Sequence, residues 1–293
     1  RLKNKLGNRS NASTEMEFQD TWGTMVGEEG RGVRTIIEMV TGNRYYCTAS
    51  SAAIMRQGLV QALHHTRHRA AFQKKLIDQP LMRNVIADLA IEAEAAVALT
   101  LRIGRAMDET AEDDDAAALA RIGTAVGKYW NCKRAPGHAF EALECLGGPG
   151  YIEDSLMPRL YREAPVNSIW EGSGNVICLD MLRAMYQEEA AAPALIAELD
   201  GTLGANAALD SAIHLLKDEL ADRGNMELRA RAITELMAVT WQGALLVRHG
   251  PAAVADAFCA SRLGARWSGA YGTLPAHVDF DAIIDRAMES ADG

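Results

Sequence analysis

Apolar residues recur three and four apart through most of the chain, the spacing of helices that bury one face. The clearest stripe follows Pro80, where Met82, Val85, Ile86, Leu89, Ala93, Val97 and Leu101 predict one long amphipathic helix. Ahead of it, Ile36, Ile37, Val40, Ala49, Ala52, Ala53, Leu59, Val60 and Leu63 predict helix over about 33–69, with Gly42 and Gly58 as weak points. A third helix spans about 116–146, with Leu119, Ile122, Val126 and Trp130 on its core side, and Pro136 is expected to kink or end it. A fourth follows Glu171 through Val176, Leu179 and Leu182 to about Glu189. Further helices are expected at 194–221, 226–249, 251–264 and 279–290, punctuated by Gly224, Gly250-Pro251 and the stretch 269–275. Long helices with short links hide their stripes by packing on one another, so the pattern predicts a mainly α bundle.

Residues 1–32 break that pattern. Gly7, Asn8, Ser10, Asn11 and Ser13 are turn formers, residues 14–18 alternate as an exposed strand would, and 22–26 suit a second short strand. Two strands alone are marginal, so this segment is expected to finish a larger sheet. The chain opens on Arg1 rather than methionine, which suggests a piece of something longer. The acidic run 108–115 reads as a solvated loop, because its charges repel one another and bury nothing. Gly147-Gly148-Pro149-Gly150-Tyr151 stops the third helix, and with no strand before it this is not a dinucleotide fingerprint.

The 293 residues are 48% apolar and 24% charged, enough for a globular core. A formal charge of -9 argues against general nucleic-acid binding. Residues 194–293 hold eight Lys or Arg against fourteen Asp or Glu, so the tail has no basic stripe. The five cysteines are scattered without metal or disulfide spacing, which favours a reducing, cytoplasmic compartment. No apolar run is long enough for membrane insertion.

Candidate chemistry centres on the stretch 161–175. Glu171 stands between Trp170 and Gly172-Ser173-Gly174, just ahead of a helix, where a side chain on a glycine-rich connection is presented by a rigid neighbour. Ser173 suits a helix cap and is not flanked as a nucleophile elbow. His64, His65 and His68 share a helix end, but Arg67 and Arg69 beside them oppose a metal cation. No Glu-x-x-His pair supports a di-iron centre. Arg69 and Arg162 are candidate anion ligands, since a guanidinium can donate two parallel hydrogen bonds to phosphate.

Four motifs in order carry a family resemblance: residues 1–18, Arg69-Ala-Ala-Phe72, Glu144-Cys-Leu-Gly147-Gly148-Pro-Gly150-Tyr151, and Tyr161 to Asn175. Together they resemble the acyl-CoA dehydrogenase family over roughly residues 1–188, nearest to the branch that includes bacterial alkylation-response proteins. Two departures stand out, Gln73 in place of a glycine and Glu144 in place of a glutamine.

The resemblance implies the C-terminal four-helix bundle of that family, with a remnant of the middle β-domain and an extra C-terminal helical region. It divides the chain into 1–32 (end of the β-domain), 33–190 (bundle) and 194–293 (additional helical domain). It implies FAD as cofactor and Glu171 as the base that removes the α-proton of an acyl-CoA. Arg69, with Phe72 of the same motif, would contact the FAD pyrophosphate of a neighbouring subunit. Glu144, Gly147, Gly148 and Gly150 would approach the adenine end of that FAD, while Ser173 and Asn175 fall near the flavin's phosphate or ribose region. The implied partners are an acyl-CoA substrate, an electron-accepting flavoprotein and further copies of the chain as homodimer or homotetramer. Two rival readings remain: a DNA-associated flavoprotein with weak dehydrogenase activity, and a helical interaction module without catalysis.

Overall fold

The computed structural model describes residues 1–264 and 269–292. Its spine is three long helices: α1 (Gly32–His68), α2 (Pro80–Glu109) and α3 (Asp114–Cys145). Between α1 and α2 lies a two-residue hairpin, β1 (Ala70–Ala71) paired antiparallel with β2 (Lys74–Lys75). After α3 come a single turn α4 (Gly148–Tyr151), α5 (Met157–Glu163), a 3-10 turn at Ala164–Ser168 and α6 (Gly174–Gln187). The remainder is α7 (Ala191–Asp200), α8 (Ala207–Ala221), α9 (Met226–His249), α10 (Ala252–Phe258) running into a π-helical turn at Cys259–Leu263, and α11 (Phe280–Asp292).

Several expectations change in physical terms. The strands expected at 14–18 and 22–26 do not form; the segment carries one isolated bridge, Leu2 to Thr14, and Phe18, Trp22 and Met25 stay exposed. A lone pair of strands has too little to pack against. Helix α3 continues through Pro136, with Cys132, Ala135 and Ala139 fully buried around it. Tertiary packing there outweighs the lost donor. The acidic run is not all loop. Asp108 and Glu109 finish α2, while Asp113 caps α3 by accepting from the amides of Asp115 (2.9 Å) and Ala116 (3.3 Å). Such a cap contributes about 1 kcal/mol, and acids in the first turn suit the helix's positive end. The single helix expected over 194–221 is broken at 201–206, where Asn206 caps α8 through the amides of Ala208 and Leu209.

Two apolar clusters form the core, and both draw residues from either side of Pro193. One joins α2, α3 and α6 to α7, α8 and α9; Trp241, fully buried, lies over Gly123 of α3. A Cβ at position 123 would stand 2.9 Å from the Trp241 ring, so only glycine leaves room for it. The other joins α1, α2 and α3 to α10 and α11 through Met55, Leu59, Leu89, Phe258 and Ile283. Each large aliphatic side chain buried this completely contributes about 1.5–3 kcal/mol.

A closed network of charges runs through the second cluster. Glu92 accepts from Arg134 Nε (2.9 Å) and Arg262 Nη2 (2.8 Å), and Asp88 accepts from Arg262 Nη2 (2.5 Å) and the Gly272 amide (2.8 Å). Burial opposes the charge on Glu92, but Arg134 and Arg262 outweigh it and hold the carboxyl down at about 2. The π turn swings Arg262 into this network, linking α2 and α3 to the C-terminal region. Beside it His138 donates from Nε2 to Leu89 O (3.0 Å), and burial lowers its pKa to about 4, so the ring is neutral.

Candidate functional site

The parallel course of α1 and α3 organises the functional residues. Gly127 stands against Thr48, Cys132 against Cys47 and Ser51, and Ala142 against Gly58, so the two helices run in the same direction. The loop 170–173 lies over the early part of this pair. The Arg69 hairpin and the Gly147 turn follow the two helices' shared C-terminal end.

Glu171 is half-buried and adopts φ +56°, a left-handed conformation costly for a residue with a Cβ. Its neighbours hold it there. Lys128 Nζ donates to the carbonyls of Trp170 (2.8 Å) and Gly172 (2.5 Å), and Arg44 Nε donates to the carbonyl of Glu171 (3.0 Å). Three successive carbonyls are thus fixed by cations from α3 and α1. Arg44 is in turn held by Asp180 of α6 (3.0 Å), which also takes a bidentate contact from Arg121. The Glu171 carboxylate receives a hydrogen bond from Asn43 Nδ2 (3.1 Å) and forms no salt bridge among the described residues. Lys128 is 1% exposed, and burial lowers its pKa from the ordinary lysine value; burial likewise raises that of the Cys47 thiol nearby.

Asn43, Arg44, Lys128, Arg121 and Asp180 were not legible as site residues, because each acts across 42 to 136 positions of sequence. Ser173 takes the N-cap position of α6, but its side chain makes no cap hydrogen bond; it and Asn175 are exposed beside Glu171. Arg162 is engaged on the surface by Glu153, in a bidentate pair that leaves no anion site. The His64 and His68 rings lie tilted to one another with centroids 4.5 Å apart, and no metal-binding group occurs among the described residues.

The other end is bare. The Arg69 side chain is exposed and makes no ion pair or hydrogen bond among the described residues, and Phe72 is 94% exposed at φ +52°. Gly147 (φ +63°) and Gly148 are exposed, and a Cβ on either would meet nothing within 4 Å. Gly150 is buried, and a Cβ there would strike Leu143 O at 2.2 Å, which fixes the turn onto the end of α3. Glu144 is exposed and forms no ion pair among the described residues. Arg44 and Arg69 are 25 residues apart on or next to α1, about 37 Å of helix. Glu171 and the Arg69–Gly147 group therefore lie in separate places along the α1–α3 pair.

Long helices packed side by side, with a braced carboxylate at one end and an open cation-and-glycine turn at the other, define a helical-bundle domain. The acyl-CoA dehydrogenase C-terminal domain description matches residues 30–186, and the chain belongs to the acyl-CoA dehydrogenase family. It is 42% identical over 266 residues to the putative acyl-CoA dehydrogenase AidB of Escherichia coli, covering 91% of this chain and 49% of that protein. Among solved structures it is similar to Caenorhabditis elegans ACDH-11 in complex with C11-CoA (TM-score 0.83, 26% identity, 99% of this chain and 53% of that one). It is also similar to the apo-form of Bd2924 (TM-score 0.77, 30% identity, 84% and 49%). The chain spans about half the length of the curated relatives it matches. No helix among the described residues is long and apolar enough to cross a membrane.

Proposed function

We propose that the protein carrying this chain catalyses FAD-dependent α,β-dehydrogenation of an acyl-CoA thioester, with Glu171 as the base. The observation that carries the reading is a half-buried carboxylate in a strained backbone, braced on three carbonyls and left without a cation of its own. A salt bridge would tie up the lone pairs a base needs; a single hydrogen bond from Asn43 orients the carboxylate and leaves one oxygen for the substrate. Lys128 and Arg44 keep the loop from relaxing, so the carboxylate's position is set before substrate arrives. The proton leaves the substrate's α-carbon for a Glu171 oxygen, and a trans-enoyl-CoA remains. FAD, when bound, would accept the β-hydride, which no side chain here could do.

The residues present fit that cofactor. Ser173 and Asn175, exposed beside Glu171, would face its phosphate or ribose region. Arg69, Phe72 and the turn from Glu144 to Gly150 offer a free guanidinium, an open ring and bare backbone to a dinucleotide from outside. Their distance from Glu171 supports service to a FAD held by a neighbouring copy, and hence a homodimer or homotetramer. The exposed Glu144 carboxylate would have to turn from the phosphates, so the backbone of that turn carries the contact. An electron-accepting flavoprotein and a cytoplasmic setting complete the reading, as does a chain organised as 1–32, 33–190 and 194–293.

Glu171→Gln in the whole protein tests the assignment. Anaerobic addition of acyl-CoA should no longer bleach the oxidised-flavin band, while FAD remains bound. Unchanged bleaching would sink the role of Glu171.

A further inference from the structure

The brace on the Glu171 carbonyl leads back to one carboxylate. Asp180 is buried on α6, nine residues beyond Glu171, and it takes three hydrogen bonds from guanidiniums on two other helices. Its Oδ2 accepts from Arg44 Nη1 of α1 and from Arg121 Nη1 of α3, and its Oδ1 accepts from Arg121 Nη2, each at 3.0 Å. Arg121 is steadied on its other side by Glu188, 3.2 Å from Nε and just past the end of α6. Among the described residues the Arg44 side chain has one further hydrogen bond, from Nε to the Glu171 carbonyl (3.0 Å).

Fixing a long arginine side chain costs rotamer entropy, which one hydrogen bond to a neutral carbonyl scarcely offsets. The charge-assisted contact with Asp180 supplies the second anchor and makes the direction of Arg44 definite. Asp180 also keeps two like charges together. Arg44 and Arg121 meet on one of its oxygens, and without the negative charge there the guanidiniums would repel and separate. Arg44 Nε would then leave the Glu171 carbonyl, and the left-handed backbone at Glu171 would lose a tie that holds it.

We propose that Asp180 is a positioning residue for the base: through Arg44 it fixes the Glu171 backbone, and so sets where the carboxylate meets the substrate's α-carbon. The role rests on Glu171 being the base. It is one of placement and not of proton transfer, since the Glu171 carboxylate takes its hydrogen bond from Asn43 and not from Arg44 or Arg121.

Anaerobic rapid mixing of the whole flavin-loaded protein with acyl-CoA separates the limiting rate of flavin bleaching from the substrate concentration at half-saturation. Asp180→Asn keeps the shape of the side chain without its charge; it should lower the limiting rate at least about tenfold and shift half-saturation less than about twofold. Arg44→Met should lower the rate too, and the double variant should be no slower than Arg44→Met alone, because the two residues act in series. In the resting chain, exchange of the Ile169 and Trp170 amides, both bonded to the Val166 carbonyl, should quicken at least about threefold in Asp180→Asn. An unchanged limiting rate, a loss confined to half-saturation, effects that multiply in the double variant, or unchanged amide exchange overturns the proposal. Glu171→Gln run alongside separates the two readings. If it stays silent while Asp180→Asn bleaches normally, only the role of Asp180 falls; if Glu171→Gln bleaches normally, the base assignment falls and takes that role with it. Should Asp180→Asn fail to fold, Asp180→Leu combined with Arg121→Met replaces the buried pair by apolar side chains and leaves Arg44 without its anchor. Its limiting rate should still be at least about tenfold down, and a rate equal to that of the unaltered protein overturns the proposal.

Discussion

The two ends of the α1–α3 pair are built on opposite principles. Around Glu171, backbone carbonyls, a carboxamide and two cations are committed to one another within the chain. Around Arg69 and Gly147 the glycine turn is open and the side chains of Arg69 and Glu144 stand exposed, engaged in no ion pair or side-chain hydrogen bond among the described residues. Braced groups hold a geometry that must exist before a ligand arrives. Bare groups await something from outside, because exposed cations and open glycine backbone gain little until a ligand desolvates them. The contrast explains how one helix can contribute to two places without either being distorted for the other.

The largest expected effect falls on the braced end. Lys128→Met keeps the length of the side chain but leaves the carbonyls of Trp170 and Gly172 without their donor, at a cost of about 2 kcal/mol. Urea unfolding measures it; a change within experimental error would mean the loop is not held by these bonds. Next comes the middle of the bundle, on which both ends depend. His138 is neutral when folded with a pKa near 4, against 6.5 for an ordinary histidine, so the unfolded chain binds the extra proton between those values. Stability should therefore fall as pH drops from about 6.5 towards 4, by up to about 1.4 kcal/mol per unit. His138→Gln should remove that part of the slope in pH-dependent unfolding. The smallest effect belongs to the bare end. Arg69→Ala should change stability by no more than about 0.5 kcal/mol. In the whole protein it should nevertheless weaken FAD retention, measured by flavin release on dilution. A destabilisation as large as that of Lys128→Met would erase the distinction between the ends.

Periodicity made the long helices readable, because α1, α2, α3 and α6 each carry a stripe that survives single glycines and even Pro136. It could not show that Asp113 and Asn206 interrupt what look like continuous or purely charged stretches, since capping is a matter of which amide lies two or three residues on. Short motifs brought Glu171, Arg69 and the 147–150 turn to notice. The brace was hidden: nothing adjacent to Lys128 or Arg44 marks them, and their partners lie far along the chain. The buried Asp88–Glu92–Arg262 network was hidden for the same reason, with Arg262 reaching back across 170 positions or more.

The pairing of Trp241 with Gly123 bears on biosynthesis. The ring that fills the notch in α3 leaves the ribosome 118 residues after the notch itself. Until then the interior of the nascent bundle has a hollow where its largest side chain belongs, so consolidation of that layer must wait for translation to pass residue 241.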